Sequence, residues 1–453
     1  MKCFNLENIV ITMLSRVRPF LNKSYIDAVN KFDLSSNRVK QQQEISKKLE
    51  NYYPDAKAFE FFNYGRSSLS TGFTILGFRE NDEILVPCFT CSTVLEPILS
   101  HKLQPVLYDI EFDFSIRTDQ LKHKITDKTK AIIITHYFGI PTNVQEIKDF
   151  AESRGLFLIE DCAHSIGSKF NGVVPGGIGD FSFTSFGNDK PLSIATGSCL
   201  ILNNKEFLNK FYEIIPKIRL NEIHNEKCSF LSLLFFHLKT ERSLYNHYIG
   251  VYDFYEYFLP QKSKVDLIYQ KLHTENIETI QLFDDITDFQ KQNTFFSFLN
   301  KAQKYFSYNH SESGIYAPKR MDCFSLNILS TALNYIDELN TFRRTIGSFY
   351  TEDLSDNSEI IVPCLHEDIP FLRYSIICKK PEMTPPLVKE LNLKGYECNN
   401  YNWPEPLNKI LKIPEKFENS EFISKNIINL PCRFDMNEDD THKITDVIKT
   451  VIR

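Results

Sequence analysis

Between residues 58 and 204 the chain repeats one unit: a short, almost wholly apolar run, a turn, and a stretch with apolar residues at helical spacing. Strands are expected at EILVP (83–87), PVLYDI (105–110), AIIITHYF (131–138), LFLIED (156–161), DFSFTSF (180–186) and SCLILN (198–203). Helices are expected in STVLEPILSHK (92–102) and NVQEIKDFAESRG (143–155), the second closed by Gly155 as its C-cap. A strand that is apolar throughout has to be covered on both faces. The expected fold is therefore α/β, a mostly parallel sheet sandwiched by helices. Ligands of such sheets gather at the carboxyl ends of the strands, so that is where chemistry should be sought.

After about residue 205 the text changes to Phe, Tyr, Leu and Lys in long helical patterns, with no Gly-rich loop. A mainly helical insertion is expected over about 222–310, inside a large domain of residues 1–315. One long amphipathic helix over 321–354 then leads into a smaller α+β domain, 316–453, with strands at IIVP (360–363) and FLRYSIIC (371–378) and a closing helix after Asn437. Composition narrows the class further. With 42% hydrophobic and 24% charged residues the 453-residue chain is an ordinary folded protein, not a disordered one, a fibre or a coiled coil. A net charge of -6, from 52 basic and 58 acidic residues, argues against a general nucleic-acid binder. Eleven cysteines, an odd number scattered through a long chain, point to a reducing, cytoplasmic setting. The apolar stretch near Met1 follows Glu7 and lacks a small-residue cleavage site, so no signal peptide is expected. FLSLLFFHL (230–238) falls well short of the ~20 residues of a membrane span.

Three features could carry chemistry. Asp161 ends an apolar strand, where it could either cap a following helix or face a ligand. Lys190, in GNDKPLS, lies in a loop after another strand; a lone loop lysine is usually a solvated charge. Together the two are more specific, because a lysine that forms a Schiff base with pyridoxal phosphate works with a carboxylate partner for the pyridinium nitrogen. The third feature is NYGRSSLSTGF (63–73), where Gly65 lets the backbone turn closely and the amides at Arg66, Ser67 and Ser68 open a helix that could cradle the phosphate. Ser185 could add a hydroxyl to the same phosphate.

The segments NYGRSSL, ILVPCFTCSTVLEPIL, PVLYDI, TKAIIITHYFGIPTN, IEDCAHSIGS and SFGNDKPLS, in that order over 63–203, resemble the DegT/DnrJ/EryC1/StrS family of pyridoxal-phosphate-dependent sugar aminotransferases, of fold type I. Weaker likeness extends to PKRM (318–321) and INLPCRFDMNEDD near the carboxyl end. The resemblance implies that Lys190 forms the Schiff base and shuttles the proton, and that Asp161 pairs with the ring nitrogen. It puts His164 near the cofactor's phenolic oxygen, and Ser185, Arg66 and Ser67 at the phosphate. It implies a homodimer, with an amino-acid donor (L-glutamate) and a nucleotide-linked keto sugar as substrates, and no metal.

The likeness departs from the family pattern at three points. The aromatic residue that usually stacks on the ring is replaced by Cys91 after Thr90, which leaves either Phe89 as a stand-in or a ring covered by some other residue. Pro318 stands where an Asn commonly reaches the neighbouring subunit, and the Gly-rich run after the lysine is thinned to TGSC (196–199). His136 and Arg320 are further candidates for contact with substrate, Arg320 for a carboxylate or diphosphate. Cys88 and Cys91 form a C-x-x-C without a second pair, which reads as packing, and Trp403 as a loop anchor. Two rivals stay open. One is a sugar dehydratase using the same cofactor, for which the family pattern puts a His at the Lys190 position. The other is a binding or regulatory module that holds the cofactor without turnover.

Overall fold

The computed structural model describes residues 18–33, 35–170, 172–223, 317–364, 366, 368–398 and 404–452, with isolated positions between 226 and 237. Most of the expected insertion, and Trp403, lie outside the described residues.

Seven strands form the main sheet in the order β1-β7-β6-β5-β4-β2-β3. They are β1 (Ala58–Phe62), β2 (Glu83–Pro87), β3 (Gln104–Tyr108), β4 (Thr129–Thr135), β5 (Phe157–Asp161), β6 (Phe181–Phe183) and β7 (Ser198–Leu202). The β2–β3, β2–β4, β4–β5 and β5–β6 pairs are parallel. β7 is antiparallel to both β1 and β6, so it alone runs against the other six. All six expected strands of this region are present. β1 is an addition: AFEFF carries Glu60 at its centre, and the charge hides the strand from an apolar-run reading. Glu60 is 2% exposed because α2 (Arg38–Glu50), which follows α1 (Lys23–Asn30), brings Arg38 Nη2 to 2.6 Å and Gln42 Nε2 to 3.0 Å of its carboxylate.

Helix α3 (Gly65–Leu76) packs on β6 and β7. It can approach that closely because residue 72 is glycine: a Cβ there would lie 2.2 Å from the Phe181 ring. Helix α4 (Val144–Ser153) ends as its spacing predicts, with Gly155 at φ +66° just beyond the last turn.

A second, antiparallel sheet has the order β10-β9-β8: β8 (Ile360–Ile361), β9 (Arg373–Cys378) and β10 (Ile427–Pro431). The expected long helix over 321–354 is divided into α5 (Cys323–Ala332) and α6 (Ile336–Leu354) by a tight turn at Leu333–Tyr335, where Tyr335 leaves helical geometry at φ -107°, ψ 0°. The break separates two jobs. α5 packs on α1 and α2 in the first lobe, whereas Ile346, Tyr350 and Leu354 of α6 enter the core around the small sheet. Helix α7 (Thr384–Leu393) and the closing helix α8 (Glu438–Val451), capped by Asn437, complete that lobe.

The two lobes share one hydrophobic core. Phe89, Phe114, Tyr137 and Phe138 from the first lobe join Phe371 and Tyr374 from the second. Leu372 N donates to Phe138 O at 2.8 Å, beside Gly139. Gly139 has φ +99°, and a Cβ would meet Pro370 O at 2.5 Å, so only glycine lets the segment before β9 lie against the end of β4. Among the described residues no helix is long and apolar enough to cross a membrane.

Candidate active site

The parallel register brings three strand ends level: Thr135 of β4 pairs with Asp161 of β5, and Asp161 with Phe183 of β6. Beyond these ends a cleft is lined by Asp161, His164, Ser185, Lys190 and the start of α3 at Gly65 and Arg66, with Phe138 and Phe183 as apolar wall. Residues far apart in sequence are thus gathered by sheet order alone.

Asp161 is 5% exposed. Its Oδ1 accepts from Ala163 N at 3.0 Å, which closes a turn rather than capping a helix, since no helix follows β5 before β6. Among the described residues no protein donor reaches Oδ2. Burial pushes the carboxyl above its usual range; the Ala163 amide, Lys190 and His136 oppose the rise without cancelling it. A buried carboxylate in this condition favours a cationic hydrogen-bond donor as its neighbour.

Lys190 Nζ lies 3.1 Å from His164 Nε2 and 3.6 Å from Asp189 Oδ1. The His164 ring stacks on Phe138 with centroids 5.5 Å apart, and its Nδ1 accepts from Phe138 N at 3.4 Å. Burial, with Lys190 and Arg373 nearby, holds the imidazole well below its ordinary value, so the ring is neutral. The neutral ring carries one proton, and Nε2 is the nitrogen that faces Lys190 Nζ. Asp189 in turn accepts from Arg373 Nη2 at 2.9 Å. Burial raises the Asp189 carboxyl, but Lys190 and Arg373 outweigh it and hold the group well below the usual carboxylate range.

Helix α3 starts without a side-chain cap: Tyr64 precedes it in extended conformation, and Ser67 N already bonds Tyr64 O at 2.9 Å. Ser67 and Ser68 are fully buried, with hydroxyls on Asn63 and Ser198. What opens to the cleft is the uncapped first turn at Gly65 and Arg66, together with Ser185, a set suited to an anion. The lysine, the carboxylate with one open oxygen and the anion cradle fit pyridoxal phosphate, and the fit rests on these donors and acceptors.

Of the other candidates His136 also lines the cleft, and the rest lie elsewhere. Phe89 does not line the cleft; its ring is buried against Phe114 and Tyr137, and its carbonyl accepts from the Tyr137 hydroxyl. Cys91, exposed, occupies the cleft wall instead. His136 is fully buried, accepting from Thr142 N at 3.2 Å and donating through Nε2 to Glu160 at 2.9 Å. Glu160 also receives the amides of Gly176, Ile178 and Gly179, and so fastens the loop before β6. His136, Glu160 and Cys162 lie within 4.8 Å of one another, but these protein donors already occupy the Glu160 oxygens. Arg320 gives its Nε to Ile218 O at 2.9 Å and does not line the cleft of its own chain. Cys88 is buried against Asn408 Oδ1 at 3.4 Å. Asp189 and Arg373 were not expected from the sequence; a lone arginine inside the apolar FLRYSIIC was the available sign, since a charge in a buried strand needs a partner.

The profile of the DegT/DnrJ/EryC1/StrS aminotransferase family matches residues 22–222 and 286–449, and the chain belongs to that family. It is similar to GDP-perosamine synthase of Escherichia coli O157:H7, 30% identical over 181 residues that make up 39% of this chain and 50% of that one. The chain thus spans half the length of this relative, and 40% of a second GDP-perosamine synthase, from Vibrio cholerae. Among solved structures it resembles Helicobacter pylori PseC, an aminotransferase of pseudoaminic acid biosynthesis, with TM-score 0.67 and 16% identity over 97% of this chain and 99% of that one. The mixed α/β architecture is that of the fold-type-I aminotransferases.

Proposed function

We propose that the chain is a pyridoxal-phosphate-dependent aminotransferase that moves an amino group from an amino acid, L-glutamate, to a nucleotide-linked keto sugar in amino-sugar and surface-polysaccharide biosynthesis. In this reading it works in the cytoplasm as a homodimer. The observation that carries the reading is the convergence of Lys190, Asp161 and the uncapped start of α3 on one cleft. Pyridoxal phosphate, when bound, supplies the conjugated ring that stores the electron pair released at the substrate carbon. The chain's residues do the rest. Lys190 Nζ holds the cofactor covalently and carries a proton between substrate and cofactor carbons. Asp161 Oδ2 holds a proton on the ring nitrogen. His164 stands with Nε2 beside Lys190, and Gly65, Arg66 and Ser185 secure the phosphate end. His136 acts one step back, by fixing the strand end through Glu160. Lysine at position 190, where the dehydratases of the resemblance are expected to carry histidine, supports amino transfer over dehydration.

The test is a single cycle. L-Glutamate mixed with the cofactor-loaded protein, without sugar, should release about one equivalent of 2-oxoglutarate, and a keto-sugar nucleotide added next should be aminated. Borohydride should fix the cofactor to the peptide containing Lys190 and fail to do so in Lys190→Ala. If no amino acid yields a keto acid, the aminotransferase reading falls and the binding-module reading replaces it.

A further inference from the structure

Arg66 lines the cleft from the first turn of α3, and a carboxylate meets it there. Its Nη1 lies 3.4 Å from Glu96 Oε1 and 3.2 Å from Oε2, and its guanidinium carbon sits 4.6 Å from the centroid of the Tyr64 ring. Glu96 belongs to the short helix Leu95–Ser100, which follows directly on Cys91, Thr93 and Val94 of the cleft wall. An acidic side chain beside an anion cradle opposes binding on its own account, so its place needs a reason. The other basic side chains of the wall have separate roles: Lys190 is the Schiff-base amine, the His164 ring is neutral, and His136 is tied to Glu160. Arg66 is thus the permanent positive charge at the phosphate end. Its side chain is 27% exposed and that of Glu96 46%. Solvent screens a pair so placed, and such a pair opens at small cost. A phosphate offers the guanidinium more charge and a matching fork of oxygens, so it wins the exchange.

We propose that Glu96 is a positioning residue: it parks Arg66 against Tyr64 in the cofactor-free protein and yields the guanidinium to the cofactor's phosphate when that group arrives. The proposal rests on the pyridoxal-phosphate reading of the cleft. It makes cofactor affinity adjustable at position 96, since the Arg66–Glu96 pair has to open before the phosphate is fully held. The diphosphate of a sugar nucleotide is a second anion that could draw Arg66. The place of Arg66 in the uncapped first turn of α3, next to Gly65, favours the cofactor's single phosphate.

The test titrates the cofactor-free protein, followed by fluorescence, with pyridoxal phosphate and with pyridoxal, which lacks the phosphate. Glu96→Gln should tighten pyridoxal phosphate binding on the order of 2- to 5-fold, and Arg66→Gln should weaken it on the order of 10-fold. Neither change should move the Kd of pyridoxal. In the Arg66→Gln background the Glu96→Gln change should have no effect, because Glu96 acts through Arg66. Damage to the fold does not tighten binding, so the Glu96 variant stands even if Arg66→Gln disturbs the protein. Glu96→Asp, which keeps the charge on a shorter stem, should fall between wild type and Glu96→Gln. A tightening of equal size in both backgrounds overturns the proposal, since the carboxylate then repels the phosphate directly. Unchanged or weaker binding in Glu96→Gln overturns it as well. So does a gain confined to pyrophosphate added to the cofactor-loaded protein, which assigns Arg66 to the substrate's diphosphate. No binding of pyridoxal phosphate by wild type sinks the cofactor reading together with the proposal, whereas binding that ignores position 96 sinks the proposal alone.

Discussion

Asp161 is a residue at which burial and chemistry pull in opposite directions. Its carboxyl is raised, so in the cofactor-free protein the folded chain holds this proton to a higher pH than the unfolded chain does. Between the unfolded value of 3.8 and the raised one the folded state binds more protons. Stability from this group is therefore present at low pH and lost as pH rises through the folded value. Asp161→Asn removes the penalty while keeping an oxygen for Ala163 N. Urea denaturation of the cofactor-free proteins should thus show the variant gaining on wild type from pH 4 to pH 7. Its turnover with cofactor should fall by on the order of 100-fold, because an amide brings no charge to the ring nitrogen. A variant with near-normal turnover would leave Asp161 no more than a turn-former. This residue and Lys190 were legible in the chain because both follow apolar strands of clear outline. Phe89 was not: position next to Thr90 says nothing about which side of the loop its ring takes, and the Phe114–Tyr137 cluster claims it.

At the scale of elements, close packing of α3 on β6 sets where the anion cradle stands. Alanine for glycine inside a helix ordinarily gains about 0.5–1 kcal/mol, but at position 72 the new methyl would meet the Phe181 ring, which is 1% exposed and has nowhere to swing. Overpacking of that kind costs about 1–3 kcal/mol and wins. Gly72→Ala should lower the denaturation midpoint, and Phe181→Leu added to it should recover part of the loss, whereas additive losses would show that the two residues do not meet. Strand existence was readable from apolar runs; strand direction was not, since periodicity is the same read either way, and β7 runs opposite to its neighbours. β10 was missed for a different reason. IINLP interrupts its apolar run with Asn429, whose Oδ1 accepts from Ser375 Oγ of β9 at 2.7 Å, a partner 54 residues away.

At the scale of the whole molecule, the second lobe positions Lys190 as much as the first lobe does. The loop that carries Lys190 is tied to β9 by the Asp189–Arg373 pair and to α6 by Arg343, which donates to Pro191 O. These ties span 184 and 152 residues of sequence, so no local pattern could have announced them. In helix α6 the adjacent Arg343 and Arg344 read alike as text, and only the packing of the lobe buries the first and leaves the second half-buried. The Asp189 side chain is 39% exposed and that of Arg373 1%, so solvent weakens the pair from the aspartate side while the arginine stays committed to it. Arg373→Met and Asp189→Asn should each raise the dissociation constant for pyridoxal phosphate by about 3- to 10-fold, because each removes the pair that ties the Lys190 loop to β9. If the two act as one tie, the double variant binds no more weakly than Arg373→Met alone when cofactor is titrated by fluorescence. Losses that multiply would mean that the loop is held by the first lobe and that Arg373 acts on the cleft by a separate route, through its place beside the Phe138 ring, 6.0 Å from the guanidinium carbon.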